Sequence, residues 1–285
     1  MTRALVALEA ERGAAVAARV AREAVTATAA QWRRVRQRHR RTGDEVCAAV
    51  AELLEVAGWI TFDNEQQALS HRLSRQALRL ARACGDRATE RLTLLNLSMQ
   101  AAHLGRAAAS HRIATAALDA GPLPPRTEVP FRLRQARALA LAGRRGEALA
   151  TLRHARALAG EGVSRRDAPW TWWIDERELV GHHGWAHAAL GEWDRAVPLL
   201  HRAVADPDAP AYRSVFAAEL LACLLRVGAW GEAERLLERL VDQAVAIGSG
   251  RAVRALRRTA GALRASRRAP GSLRDAADVL ATRLR

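Results

Sequence analysis

Glu178 and His182 stand one helical turn apart, with Trp185 in the turn that follows. A carboxylate within reach of an imidazole raises its affinity for a proton, so His182 is a candidate general base with Glu178 as its partner, and His187 is a further catalytic candidate. The bland alternative is an ordinary pair on a helix surface. His183 and His187 are also one turn apart, and Glu176 precedes His183 by two turns. On one continuous helix these three share a face with Trp172 and Trp173. Two imidazoles and a carboxylate are metal ligands by type, but no His-Glu-x-x-His pattern accompanies them, and the expectation is no metal and no cofactor. Glu176 and Glu178, two apart, point to opposite sides and make no acid/base dyad. Five of the eight tryptophans fall between 170 and 193 and three of the nine histidines between 182 and 187. An aromatic wall with a few convergent polar groups is the composition of a ligand pocket. The chain has no Gly-x-Ser-x-Gly elbow, phosphate-binding Gly-Lys-Ser loop, dinucleotide fingerprint or cysteine pair at zinc-ligand spacing.

The elements that must carry these residues are helices. Apolar residues recur at helical spacing, Gly and Pro mark the turns, and no period-two strand pattern occurs. One continuous helix is expected over 3 to 41, broken by Gly43 before an Asp44 N-cap, and another over 171 to 190. Gly121, Pro122, Pro124 and Pro125 force an extended link after Ala120. A repeated grammar runs through the chain: a turn glycine, a small or apolar residue five positions on, then two more at helical spacing. It reads Gly105 with Ser110, Ala114 and Ala117; Gly143 with Ala148, Leu152 and Ala155; Gly191 with Ala196, Leu200 and Ala203; Gly228 with Ala233, Leu237 and Leu240. The marker glycines are 38, 48 and 37 residues apart. A period in this range means stacked helix pairs, which share an elongated core and leave a concave wall for binding.

The chain has 285 residues, 49% of them hydrophobic, enough for a folded core. Its net charge of +15 suits a polyanionic partner, but all 45 basic residues are Arg, as a GC-rich coding sequence produces without selection for an anion. The densest cluster, Arg33, Arg34, Arg36, Arg38, Arg40 and Arg41 behind Trp32, reads either as a face for phosphates or an acidic membrane or as a solvated helix end. Cys47, Cys84 and Cys223 are far apart in the sequence and lie on apolar stripes, as core residues in a reducing compartment do. No secretory signal or membrane-spanning run is present, and a cytoplasmic location is expected.

The turn glycine and alanines at Gly191, Ala196 and Ala203 resemble those of tetratricopeptide repeats. That resemblance implies an all-α fold, a tetratricopeptide-like right-handed superhelix of stacked antiparallel helix pairs (an α-solenoid). Its register puts the small-residue position at Ser98, Ala136, Gly184 and Leu221, and a packing position at Ala101, Leu139, His187 and Leu224. Facing the concave groove are then Asn96, Met99, His103, Arg134, Arg137, Glu178, His182, Trp185, Glu219 and Arg226, with Trp172 and Trp173 as aromatic walls. Residues 1–43 are expected as a long N-terminal helix, 44–248 as the repeat array and 249–285 as capping helices. The long helix either packs back on the array or pairs with a second copy in a homodimer.

More widely, Ala57-Gly58-Trp59-Ile60-Thr61-Phe62-Asp63, Gln76-Ala77-Leu78-Arg79-Leu80-Ala81, Cys84-Gly85-Asp86-Arg87 and Trp173 through Glu178 with His182, Gly184 and His187 resemble one family. It is the C-terminal tetratricopeptide region of bacterial helix-turn-helix regulators of the Cro/repressor-like (XRE-type) class, often found near natural-product clusters. The resemblance covers roughly 45 to 265, and residues 1 to 41 read as one helix with no recognition-helix turn, so sequence-specific DNA binding by the chain alone is not expected. What it implies is a stand-alone regulatory sensor or adaptor binding a small molecule, peptide or protein in its groove. The alternative is a biosynthetic enzyme using the Trp/His/Glu-lined groove as an active site.

Overall fold

The structure, a computed structural model, describes residues 1–35, 40–206, 211–244 and 247–284, with the side chains of 29–35, 40–43 and 211 left out of the description. Among the described residues the chain is helical, without strands. It forms two compact units, Met1–Asp175 and Glu176–Arg285. The first holds α1 (Thr2–Arg12), α2 (Ala14–Val35), α3 (Arg40–Asp63), α4 (Gln67–Ala83), α5 (Arg87–His103), α6 (Ala107–Asp119), α7 (Pro125–Leu141) and α8 (Arg145–Gly160), followed by a 3-10 turn at Pro169–Trp173. The second holds α9 (Glu176–Ala189), α10 (Trp193–Ala203), α11 (Ser214–Val227), α12 (Trp230–Asp242), α13 (Gly250–Ala265) and α14 (Gly271–Arg283).

The hairpin turns between helices have a local cause. At Gly105 the backbone turns left-handed (φ 74°), its N–H bonds the Ala102 carbonyl at 3.0 Å and the next N–H, of Arg106, reaches back to Ala101 at 2.8 Å. Carbonyls at the end of α5 are thereby satisfied and α6 starts at once in the opposite sense. The same glycine conformation recurs at Gly85, Gly143, Gly191 and Gly228. Exposed Gly105 has nothing within 4 Å of where a Cβ would stand, so only backbone strain opposes a side chain there. Gly105→Ala is expected to lower unfolding free energy by about 1 kcal/mol, whereas Gly146→Ala, in the helical backbone of α8, raises it by about 0.5 kcal/mol. Urea unfolding of both variants checks the opposite signs.

After each turn the residues of the repeated grammar become the buried seam. Ser110, Ala114 and Ala117, Ala148, Leu152 and Ala155, Ala196, Leu200 and Ala203, and Ala233, Leu237 and Leu240 are all buried. Small side chains let neighbouring helices approach closely, and the leucines fill the space between them. In the first unit each helix from α2 to α8 packs on its sequence neighbour, and α3 touches α5 as α5 touches α7. In the second, α9 through α12 pack in succession, α9 touches α11, α11 touches α13, and α14 closes on α12 and α13.

Three expectations change. The single helix over 3 to 41 is interrupted at Gly13 (φ 80°), and the helix break expected at Gly43 is absent, because α3 runs through it and places Asp44 inside the helix. A lone glycine only weakens a helix, and burying Val50, Leu53, Leu54 and Ala57 against Ala17, Ala18 and Ala21 outweighs that. Within this chain α2 therefore packs back on α3. The helix expected over 171 to 190 does not begin until Glu176, after the 3-10 turn and an extended Ile174. On α14 the buried stripe is Leu273, Ala277 and Leu280, with Val279 exposed. No helix among the described residues is long and apolar enough to cross a membrane. The side chains of the Trp32 to Arg41 cluster lie outside the described residues.

Candidate functional site

In the second unit the paired residues come together, but in the interior. Glu178 and His182, on the same face of α9, place Oε1 and Nε2 3.4 Å apart, and both side chains are buried. The other carboxylate oxygen of Glu178 meets Arg213 Nε at 3.3 Å. Arg213 closes the short 3-10 turn Ala211–Arg213 ahead of α11, is itself buried, and stacks its guanidinium 5.8 Å from the Tyr212 ring centroid. One carboxylate thus holds a guanidinium on one side and an imidazole on the other. The His182 ring lies edge-on to Trp185 (5.3 Å) and Phe216 (6.0 Å), and those two rings are 4.7 Å apart.

Two glycines make this packing possible. A Cβ on Gly181 would stand 2.5 Å from the Phe216 ring, and one on Gly184 2.7 Å from Leu200. Gly181 therefore admits the aromatic ring from α11, and Gly184, at the expected small-residue position, admits α10. With His182 only 2% exposed, the cluster is neither a surface pair nor open to a substrate, since a general base must reach the proton it abstracts. Arg213, Phe216 and Gly181 were not legible as site residues: the chain has 45 arginines, and nothing local marks the buried one.

Two of the three metal candidates are held by partners of their own. Glu176 meets Arg202 at 3.4 Å, His187 Nδ1 meets Glu192 at 2.6 Å across the turn to α10, and His183 is half-buried. No group of three or more His, Cys, Asp or Glu side chains able to hold a metal occurs among the described residues. Because the helix starts at Glu176, Trp172 and Trp173 do not share a face with these histidines. Trp173 packs with Trp170 against Leu95 and Phe131 of the first unit, while Trp172 is exposed.

The remaining groove residues divide in the same way. In the first unit Asn96 Nδ2 donates to Glu55 Oε1 at 2.5 Å, Arg134 Nη2 donates to Met99 Sδ at 3.3 Å, and His103 meets Glu65 at 2.8 Å while standing edge-on to Phe62. Arg137 is half-buried on α7. These side chains are engaged within the fold. Glu55, which carried no sequence signal, is buried, and that burial, with Glu52 nearby, pushes its carboxyl up to about 8 despite the Asn96 bond. Cys47 and Cys84, distant in sequence, come near each other, their thiols donating to the Leu80 and Ala81 carbonyls at 3.6 Å each, and burial, with Cys84 nearby, pushes the Cys47 thiol up to about 11.

In the second unit Glu219 and Arg226, two turns apart on α11, line an open depression of about 340 Å³. Trp193, Ala188, Ala189 and Cys223 complete its wall, and the Arg226 guanidinium lies 5.4 Å from the Trp193 ring centroid. Burial first, then Glu219, pushes the Cys223 thiol up to about 12, so it is an inert part of the wall. The depression combines an indole, a cation, a carboxylate and small apolar side chains, a set that orients a ligand without supplying a nucleophile. No protein-family model matches the chain, and no curated protein matches it significantly.

Proposed function

We propose that this chain is a tetratricopeptide-like binding protein, a regulatory sensor or adaptor of the kind formed by the C-terminal region of Cro/repressor-like regulators, whose helix hairpins stack in a right-handed superhelix. The observation that carries the reading is the open depression on the second unit that the expected groove residues Glu219 and Arg226 line together with Trp193. Sealing of His182 behind Trp185 and Phe216 weighs against the enzymatic alternative. A ligand displacing or joining Arg226 over the Trp193 face gains cation–π and apolar contact together. The ligand class is a small molecule or a short peptide that presents an apolar group beside a charge.

Thermal denaturation of the full chain against a panel of aromatic carboxylic acids, amines and short peptides tests this, because binding to the folded state alone raises the midpoint by mass action. Ligands that stabilise the wild type are expected to lose at least tenfold in affinity with Arg226→Ala, an exposed position whose own unliganded midpoint stays close to the wild type, and with Trp193→Ala, which also loses packing on the core and is compared by the ligand-induced shift from its own midpoint. A panel without effect, or ligands indifferent to both substitutions, would overturn the reading. His182→Phe, which keeps an aromatic ring, leaves binding in place if His182 acts only in packing.

A further inference from the structure

The segment between α8 and α9 is a second place where chemistry faces solvent, independent of the depression on α11. Trp172 is 67% exposed, and every other tryptophan with a described side chain is at least half-buried. Yet its backbone is held from both sides. Trp170, two residues earlier, donates its indole N–H to the Ala88 carbonyl at 3.0 Å, and Arg126 of α7 donates to the carbonyls of Thr171 (3.3 Å) and Ile174. Further back, Ala168 N donates to Thr127 Oγ1 at 2.9 Å, and the Asp167 carboxylate accepts the Ser164 N–H at 2.6 Å. An exposed indole on a backbone fixed by these bonds loses little conformational entropy on binding, the property that makes tryptophan an anchor of protein interfaces.

The same segment carries exposed Val163, Arg165 and Arg166, and neither guanidinium bonds a carboxylate among the described residues. The Asp167 carboxylate is engaged by the Ser164 N–H, and the exposed acids of the segment are Glu161 at its start and Asp175 at its end, the latter with an interaction of its own. We infer that this loop is a docking surface for an acidic polypeptide segment of another protein. An apolar side chain of that segment covers the Trp172 face, and flanking Asp or Glu carboxylates meet Arg165 and Arg166. Arg–carboxylate pairing supplies orientation and the indole supplies buried apolar area. One indole and one isopropyl group are too little apolar surface to hold a bilayer, which takes two anchoring signals. Two guanidiniums beside Glu161 make fewer phosphate contacts than nucleic-acid binding draws on.

Panning phage-displayed random linear peptides on the immobilised full chain tests the inference. The expected result is enrichment of sequences with Asp and Glu flanking Leu, Phe or Trp. Synthetic versions should lose at least tenfold in affinity on Trp172→Ala, and on Arg165→Glu with Arg166→Glu binding of acidic peptides should vanish. All three positions are exposed, so unchanged circular dichroism and melting midpoints show that the variants fold. No enrichment, or enriched peptides that bind the variants as well as the wild type, would overturn the proposal. So would sedimentation with phosphatidylserine vesicles or binding to duplex DNA that depends on these residues while acidic peptides fail to bind.

Discussion

Replacing Arg213 by Leu lowers the unfolding free energy by about 3–5 kcal/mol, with the dependence on urea concentration unchanged in slope. The reason is the carboxylate left behind. Glu178 is 5% exposed and has Arg213 on one oxygen and His182 on the other, so removal of the guanidinium strands a buried anion away from the water that would otherwise solvate it. Trp185, packed edge-on to His182 and tilted against Phe216, reports the unfolding by fluorescence. The double variant Glu178→Gln with Arg213→Leu is expected to lose less than the sum of the single variants, because neither charge remains uncompensated. Additive losses would show that the two groups do not depend on each other.

Raising the pH from about 5 to about 9 removes about 4 kcal/mol of stability through Glu55 alone. Its carboxyl titrates at about 8 in the folded chain against an ordinary value of 4.5, chiefly because burial penalises the anion. Below that ordinary value both states hold the proton, and Glu55 imposes no penalty. Between the two values the unfolded chain has released its proton and the folded chain has not, so stability falls with rising pH at about 1.4 kcal/mol per unit, and above the higher value the loss is constant. The uncharged Glu55→Gln variant keeps an acceptor for Asn96 Nδ2 and is expected to flatten this part of the profile, becoming more stable than the wild type at about pH 9. Urea unfolding of both proteins across the range checks it, and parallel profiles would contradict the assignment. Asn96→Ala deprives the anion of its donor and should move the transition to still higher pH.

The helices and their turns were legible because they are local. Gly105, Gly143, Gly191 and Gly228 each end a helix in a conformation other residues rarely adopt, and the small or apolar residues five positions on lie one after another in the core. The two failures near the front both fell on glycines: Gly43 is a weak breaker inside a helix whose apolar face is well packed, while Gly13 takes a left-handed φ of 80° that ends α1. At the candidate site, spacing identified the Glu178–His182 pair but did not reveal its depth, since a surface pair and a sealed one have the same separation along a helix. The break before Glu176 likewise followed from how Arg126 and Thr127 hold the preceding segment, partners more than 40 residues away.

Amino-acid order by itself determined that this chain is helical, where its hairpin turns fall, and which alanines and leucines form the seams, because backbone preference and helical periodicity act over a few residues. The fate of the polar and aromatic side chains was decided by tertiary structure. Contacts between distant helices seal Glu55 with Asn96, join Arg213 to Glu178, bring Cys47 to Cys84, and leave Trp172 and the Trp193–Arg226 pair facing water. Burial is a sum over neighbours from the whole fold, and it is burial that turns the same residue types into a packed interior or a binding surface.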